Sequence, residues 1–388
     1  MARILSFTAA AVILLTLPGC SKKKSDKDVK SGGDMRSEMS SMAYAKEMGV
    51  GINLGNTFEA YWADEKNKTS GAAKVGDSPV DFEKCWGAHE TTSDCIKGMK
   101  DAGFSTLRVP VYWGNMMTDD GTYTINSDYI ARVTEVVDTA LDEGFYVVVN
   151  IHHYDEFLIK HKEKAEVLSA VDVLWEQIAE NFRDRSDYLI FEGFNEALGT
   201  PMEGTEMSEE EAYSYVNDMN QHFVDAVRAT GGNNSERMLI ASGYWTNIDK
   251  TTAESYKLPD DSAEDRLMVS VHYIDNAMFW TDKVGGSQWK KYSEDQCALL
   301  DTAFADKGVP VFVGECTAVY PDERFAANAE VADSSECLST ILNMAADHGF
   351  VPVLWTVDGD FYDRVGCTII NESDKAVIKE VAEHISGK

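Results

Sequence analysis

The sequence predicts a single (β/α)8 TIM barrel, an α/β fold whose active site lies at the C-terminal ends of the strands. Three observations favour this fold: eight short β-branched runs, helical hydrophobic stripes between them, and polar or aromatic residues where the runs end. Strands that alternate with helices pair in parallel, and eight such units close into a barrel of about 250 residues or more. The 388 residues of the chain are sufficient for this barrel.

The elements follow each other without an internal linker, so residues 42–388 are predicted to be one catalytic domain. The predicted strands are residues 50–54, 106–111, 146–150, 189–191, 238–241, 267–271, 309–313 and 351–355. Stripes with the i, i+3, i+4 spacing of an amphipathic helix lie at residues 133–141, 171–182, 216–227 and 299–304.

The first 41 residues predict an export signal and a tether. Arg3 precedes an apolar run at residues 4–17, which is shorter than the ~20 residues of a membrane-spanning helix. The run ends in Leu-Pro-Gly-Cys20, which resembles a bacterial lipobox; the alternative is an ordinary secretory signal. We therefore expect a signal peptide at 1–19, a lipidated Cys20 and a polar, flexible tether up to residue 41. The protein would then be exported and lipid-anchored at the cell envelope, at the outer membrane or cell surface.

The charge of the chain excludes some classes of partner. The chain has 35 Lys and Arg residues and 66 Asp and Glu residues, which give a formal net charge of −31. Such a surface disfavours nucleic acid and anionic lipid, so membrane contact is expected only through the anchor. A neutral partner and a monomeric protein are the expectation.

The cysteines predict disulfides rather than a metal site. Setting Cys20 aside leaves six of the seven cysteines, and none form a CxxC pair. The positions of the predicted elements around the barrel favour three pairings, although sequence alone cannot separate the alternatives. These pairings are Cys85–Cys95, Cys297–Cys337 and Cys316–Cys367. We expect no cofactor and no metal.

Two glutamates carry the functional argument. Glu196 follows the fourth predicted strand, and Glu315 ends the seventh as Gly314-Glu315. A carboxylate that leaves a hydrophobic strand needs water, a ligand or a partner. Two carboxylates facing each other across a barrel mouth meet the requirement of glycoside hydrolysis, in which one protonates the leaving oxygen and the other attacks the anomeric carbon.

With this carboxylate pair and the phrases given below, the chain resembles glycoside hydrolase family 5, a family of (β/α)8 retaining glycosidases. The resemblance covers roughly residues 42–380, and its matching phrases keep the family's order and spacing. They lie at residues 51–57, 103–110, 149–153, 194–196, 269–273, 313–315 and 354–355. The resemblance implies that Glu196 is the acid/base and Glu315 the nucleophile.

The same resemblance implies the roles of further residues. Arg108 would lie beside Glu315 and lower its pKa, and Asn195 would bind the sugar 2-hydroxyl. The expected substrate-binding residues are Asn56, Arg108, His152, His153, Asn195, Trp245, His272, Tyr273 and Trp355. Adjacent strand residues face opposite ways, so His152 and His153 are not expected to share a metal.

One position departs from the family pattern. Relatives carry His-x-Tyr after the sixth strand, and the Tyr donates to the nucleophile, but Ile274 occupies that place here. Tyr273 lies one residue earlier, and successive strand residues face opposite ways, so it is not expected to replace that donor to the nucleophile.

The expected substrate is a neutral plant-cell-wall β-glucan. Flat indoles suit sugar rings, and predicted loops on the strand-end side contain Trp62, Trp86, Trp113, Trp245, Trp280 and Trp289. The leading hypothesis is a retaining endo-β-1,4-glucanase acting on cellulose-type chains. The alternatives are the same chemistry on xyloglucan, mixed-linkage glucan, mannan or xylan, and a non-catalytic glycan-binding lipoprotein.

Overall fold

The computed structural model describes residues 33, 35–63, 73–153, 159, 162–198, 207–275, 289–318 and 334–387. Eight parallel strands form a closed barrel in sequence order, with β8 paired to β1. They are β1 (Gly51–Asn53), β2 (Thr106–Val109), β3 (Tyr146–Asn150), β4 (Leu189–Glu192), β5 (Leu239–Ser242), β6 (Leu267–His272), β7 (Val311–Thr317) and β8 (Val351–Trp355). The predicted (β/α)8 barrel is confirmed, and each observed strand overlaps a predicted run.

Helices surround the barrel. They are α1 (Ser41–Met48), α2 (Pro79–Glu83), α3 (Ser93–Asp101), α4 (Ser127–Asp142), α5 (Lys164–Asn181), α6 (Glu209–Ala229), α7 (Ile248–Thr251), α8 (Trp289–Ala303), α9 (Ser334–Asp347) and α10 (Glu372–Ser386). A short antiparallel pair, β9 (Tyr362–Asp363) and β10 (Thr368–Ile369), precedes α10. No helix among the described residues is both long and apolar enough to cross a bilayer.

Local sequence explains where the long helices begin and which face they bury. The Asn126 side chain accepts from the first N–H groups of α4, and Ser208 and Glu211 form a capping box at the start of α6. The predicted stripe of α4 is its buried face. Burial of these stripes against the strands forms the outer layer of the core.

The interior of the barrel changes from apolar to polar along the strands. Its lower part is a cluster of apolar side chains closed from below by α1. Residues two apart in a strand point to the same face, so the next inward position lies two residues further along each strand. At that level the inward side chains are polar. For example, Val148 is followed by Asn150, Ile190 by Glu192 and Met268 by Ser270. These upper residues are fully buried, so their polar groups must pair with each other.

The N-terminal segment is bound to the bottom of the barrel. Arg36 donates to Asp187 at 2.6 Å, to Glu47 at 2.7 Å and to the Tyr146 hydroxyl at 3.0 Å. Its guanidinium also lies 4.7 Å from the centre of the Tyr188 ring. Arg36 belongs to the segment that the sequence assigned to the tether, so the part of that segment around Arg36 is bound to the barrel. Cys20 and the rest of the tether lie outside the described residues.

The predicted disulfides are wrong, because each proposed pair contains a free thiol in the structure. Cys85 lies near Glu59, whereas Cys95 lies near Arg364 and the β9–β10 pair, so closeness in sequence did not bring the two thiols together. Burial raises the pKa of both thiols to about 12. They therefore remain protonated and pack as small apolar side chains.

The Arg36 contacts generate a stability prediction. Arg36→Ala removes the charged partner of buried Asp187 and should lower the free energy of unfolding by about 2 kcal/mol. Urea denaturation measures this change. Lys291→Ala, which breaks an exposed pair with Asp295 on α8, is the control and should leave the midpoint unchanged. Equal midpoints for the two variants would contradict the prediction.

Candidate active site

The two predicted carboxylates meet at the C-terminal end of the barrel. Glu196 lies just beyond β4, and Glu315 lies within β7. An oxygen of each carboxylate lies within 4.8 Å of the other. Their surroundings differ, since the Glu196 side chain is 36% exposed and that of Glu315 is 6% exposed.

A β-bulge directs Glu315 into the barrel. Val271 of β6 pairs with Val313 of β7, but the next residue, His272, pairs with Glu315. The extra residue is Gly314, where a Cβ atom would lie 3.0 Å from His272 Nε2. In a regular strand Glu315 would face the helices, because inward and outward residues alternate. The bulge turns it inward, and a side chain at Gly314 would crowd His272 beside it.

Arg108 on β2 is completely buried and holds the site together. Its Nε donates to Glu192 at 2.7 Å, and its Nη1 donates to Glu315 at 3.1 Å. Nη1 also donates to Asn53 at 3.0 Å, and Nη2 donates to Asn195 at 2.9 Å. Burial opposes the charge, but the two carboxylates outweigh burial and leave the pKa of Arg108 above its ordinary value.

His272 lies between the two candidate carboxylates. Its Nδ1 is 3.0 Å from Glu196 Oε1 and 3.7 Å from Glu315 Oε2. Burial raises the pKa of Glu315 above its ordinary value, although His272, Arg108 and the Tyr273 hydroxyl all oppose the rise. Arg108 lies beside Glu315 and lowers its pKa as expected, but burial outweighs this effect and leaves the net pKa above its ordinary value.

Tyr273 contacts the nucleophile candidate, so the expectation that it would not replace the family's tyrosine was wrong. Its hydroxyl donates to Glu315 Oε2 at 2.6 Å. The strand ends at His272, and Tyr273 has a left-handed backbone with φ of 53°. The alternation rule holds only for extended backbone, so this turn brings the ring back toward the site. Ile274, at the position of the family's tyrosine, is buried.

The two histidines after β3 have different surroundings. His152 is buried and stacks on Trp355 with ring centres 6.2 Å apart. Burial, assisted by Arg108 and the neighbouring histidines, lowers its pKa well below the ordinary value, so it is neutral. His153 has φ of 55° and packs among aromatic rings instead. Those rings belong to Tyr61, Trp86 and Tyr112.

An open cavity of about 460 Å³ extends from Glu196 on the side of β5 and β6. Trp245, which is 36% exposed, lies in its wall on a short turn with φ of 53°. The turn is fixed because the Trp245 N–H donates to the Ala197 carbonyl at 2.9 Å. The other lining residues include His272, Tyr273, Tyr292 and Gln296.

Several of the remaining predicted residues have structural roles. Trp62, Trp113 and Trp289 are buried, so the prediction that they present flat faces to a ligand was wrong. Trp280 lies outside the described residues. Asn56 has a left-handed backbone whose N–H donates to buried Glu59, and among the described residues it has no contact with the carboxylate pair.

Glu192 is the site residue that sequence reasoning missed. It is buried at the end of β4 and accepts from Arg108, from Asn150 at 3.0 Å and from Ser270 at 2.7 Å. The available signal was a carboxylate within the apolar run Leu-Ile-Phe-Glu, where an unpaired charge would be strongly unfavourable.

Glu196, His272 and Glu315 also have the spacing of a three-ligand cation site. In the structure His272 Nδ1 is hydrogen-bonded to Glu196 at 3.0 Å and lies 3.7 Å from Glu315.

The barrel and its pair of close carboxylates define a glycoside hydrolase, and comparisons with known proteins agree. The family model for cellulase (glycosyl hydrolase family 5) matches residues 65–360. Endoglucanase A of Ruminococcus albus is 31% identical over 383 residues, which are 92% of this chain and 96% of the relative. Endoglucanase A of Clostridium longisporum is 36% identical over 74% of this chain, which spans only 55% of that longer protein.

Among solved structures, a family 5 xyloglucanase of Bacteroides ovatus in complex with an XXXG heptasaccharide superposes with a TM-score of 0.78. It is 27% identical, and the match covers 92% of this chain and 80% of that one. The chain therefore belongs to the glycosyl hydrolase family 5 cellulases. It is an endo-acting glycoside hydrolase of the endo-β-1,4-glucanase type.

Proposed function

We propose that Glu315 is the nucleophile and Glu196 the acid/base of a retaining endo-β-1,4-glucanase. The observation that carries this proposal is the distance between their oxygens, within 4.8 Å. Retaining enzymes place their carboxyl groups about 5–5.5 Å apart, whereas inverting enzymes need about 6.5–9.5 Å to admit a water molecule. The difference in exposure supports the division of roles, because the buried Glu315 is held at a fixed position and Glu196 faces solvent.

In the first step, a Glu315 oxygen attacks the anomeric carbon while the glycosidic bond breaks. The proton of Glu196 goes to the leaving oxygen, and Glu315 becomes a glycosyl ester. In the second step, Glu196 takes a proton from a water molecule, whose oxygen attacks the same carbon and releases Glu315. Two inversions give net retention, and both carboxyl groups return to their starting protonation states.

The neighbouring residues position the sugar on either side of the cleavage point. Asn195, oriented by Arg108, is placed to bind the 2-hydroxyl, and Trp355 stacked on neutral His152 forms a floor for the ring. Trp245 borders the cavity beside Glu196, on the side where the leaving group departs. His153 contributes to substrate binding by packing against its aromatic neighbours, not by contacting the carboxylates.

The substrate class follows from an open cleft with aromatic surfaces on both sides of the carboxylates. We propose a neutral β-1,4-glucan as the substrate, consistent with the acidic surface of the chain. A xyloglucan-specific relative from Bacteroides ovatus, 31% identical over 82% of this chain, supports including xyloglucan among the substrates. A non-catalytic glycan-binding role would not require the buried Arg108 network or a protonatable pair, so the site disfavours it.

We also propose a monomeric enzyme anchored by lipid on Cys20 at the bacterial envelope. The N-terminal segment is bound at the bottom of the barrel by Arg36, opposite the carboxylates. A tether that leaves from this end would direct the cleft away from the membrane and toward polysaccharide.

The function predicts release of reducing sugar from carboxymethylcellulose and xyloglucan, with less or none from mannan. Glu315→Gln should lower kcat by at least about 10⁴-fold because the attacking oxyanion is lost. Exposed Glu254→Gln is the matched control and should retain full activity. Proton NMR of early products should show the β-anomer. An active Glu315→Gln enzyme, or an inverted product, would refute the assignment.

The Tyr273 contact predicts a shift in pH dependence. Its hydroxyl stabilises ionised Glu315 and so lowers the pKa of that carboxyl. Tyr273→Phe removes the donor, so the pKa of Glu315 should rise and the acidic limb of kcat/KM should move to higher pH. We expect kcat at the optimum to fall about tenfold, a change of ~1.4 kcal/mol.

Tyr213→Phe is the control for this measurement. It removes a hydroxyl that donates to the Lys250 carbonyl rather than to Glu315. Its acidic limb should coincide with that of the wild type. An unshifted limb in Tyr273→Phe would show that the hydroxyl does not set the ionisation of the nucleophile.

The proposed anchor predicts that Cys20→Ser abolishes lipid attachment. In cells fed labelled palmitate, the wild-type protein should carry the label and fractionate with membranes, whereas the variant should carry none. Cys367→Ser, which changes a thiol outside the leader, should leave labelling unchanged. Labelling of the Cys20→Ser protein would contradict the proposal.

A further inference from the structure

Glu192 is a buried carboxylate that the proposed reaction does not itself consume. Its residue is 0% exposed, and its oxygens accept from three different strands. Arg108 of β2 and Asn150 of β3 donate to Oε2 at 2.7 and 3.0 Å, and Ser270 of β6 donates to Oε1 at 2.7 Å. The carboxylate is therefore held in one position, with the Arg108 Nε directed at it.

The charges around Arg108 change during catalysis. In the free enzyme its guanidinium lies between two carboxylates, Glu192 and Glu315, both within 3.1 Å. Its other described partners, Asn53 and Asn195, are neutral. When Glu315 attacks the anomeric carbon it becomes an ester and loses its negative charge. A fully buried cation would then face no anion unless a second one were present.

We propose that Glu192 is a positioning residue that acts as the permanent counter-ion of Arg108, so that Glu315 can lose its charge without leaving a buried cation unpaired. This inference rests on the proposed function, in which Glu315 is the nucleophile. The network carries a net charge of −1 before the bond to sugar forms and of zero afterwards. Glu192 thereby stabilises the covalent intermediate relative to the free enzyme.

The geometry supports this role over a purely structural one. A structural ion pair would need only one carboxylate per arginine, and Glu192 already supplies it at the shorter distance, 2.7 Å against 3.1 Å. Glu315 is the additional partner, and its contact can weaken when the ester forms. Nη2 remains bound to Asn195 throughout, so the group that binds the sugar stays oriented.

The test uses dinitrophenyl 2-deoxy-2-fluoro-β-cellobioside, whose leaving group needs no protonation and whose fluorine slows both steps. Inactivation measures formation of the ester, and recovery of activity after removal of excess reagent measures its hydrolysis. In Glu192→Gln the inactivation rate should fall about tenfold or more, while recovery should become faster. A merely structural role would misplace Arg108 and slow both steps by similar factors.

Two further variants keep the result interpretable. Glu192→Asp retains the charge at a greater distance, so its ratio of inactivation to recovery should lie between those of the wild type and Glu192→Gln. Glu83→Gln removes an equally buried carboxylate paired with Arg132 away from the site, and its ratio should equal that of the wild type. If Glu192→Gln does not fold, as judged by circular dichroism, the Glu192→Asp ratio decides.

A wild-type ratio in Glu192→Gln, including one that results from parallel slowing of both steps, would overturn the counter-ion role. Where Glu192→Gln does not fold, a wild-type ratio in Glu192→Asp would overturn it. Peptide mapping of the trapped wild-type enzyme tests the underlying assignment separately. If the label is not on Glu315, the proposed function fails regardless of how the Glu192 variants behave.

Discussion

The buried guanidinium of Arg108 is the constraint on which the rest of the site depends. A cation with no exposed surface must be matched by anions and acceptors, and here these come from the first, fourth and seventh strands. Removing one partner of such a buried pair typically costs about 3–5 kcal/mol. The strand register must therefore place Asn53, Glu192 and Glu315 around one point. The apolar lower half of the barrel, closed by α1, provides the rigid base for that register.

The regular strand register and extended backbone are interrupted around the candidate catalytic residues. The β6–β7 pairing slips at Val271 and His272, and the β7–β8 pairing slips between Val313 and Cys316. Tyr273 and Trp245, which both line the same cavity, have left-handed backbone. Such conformations cost about 1–3 kcal/mol and persist where surrounding contacts determine them. In this protein the hydrogen bonds from Tyr273 to Glu315 and from Trp245 to Ala197 supply those contacts.

This pattern explains how far the sequence could predict the site. The strands and the carboxylate pair were predictable because they depend on periodicity and on polar residues at strand ends, which are local signals. The orientation of Tyr273 was not, because the alternation rule assumes extended backbone and the backbone there is left-handed. The burial of Trp113 and Trp289, and the separation of Cys85 from Cys95, depend on how loops pack against helices. The carboxylate of Glu192 in an apolar run was a local signal that it needs a partner, but its partners lie on other strands, so the network around it could not be predicted.

The two catalytic candidates therefore differ in surroundings more than in chemistry. Glu315 is bound by Arg108, Tyr273 and His272 and is nearly excluded from water, so its oxygen is fixed where an anomeric carbon must come. Glu196 has one described partner, His272, and opens onto the leaving-group cavity. An acid/base must exchange its proton with departing sugar and arriving water, which requires access, whereas a nucleophile benefits from immobility. His272 contacts both carboxylates. The loss of negative charge at Glu315 therefore changes the electrostatic surroundings of the histidine that is hydrogen-bonded to Glu196. The physical link between the two halves of the reaction is thus this histidine, while the arginine and its second carboxylate hold the nucleophile in place.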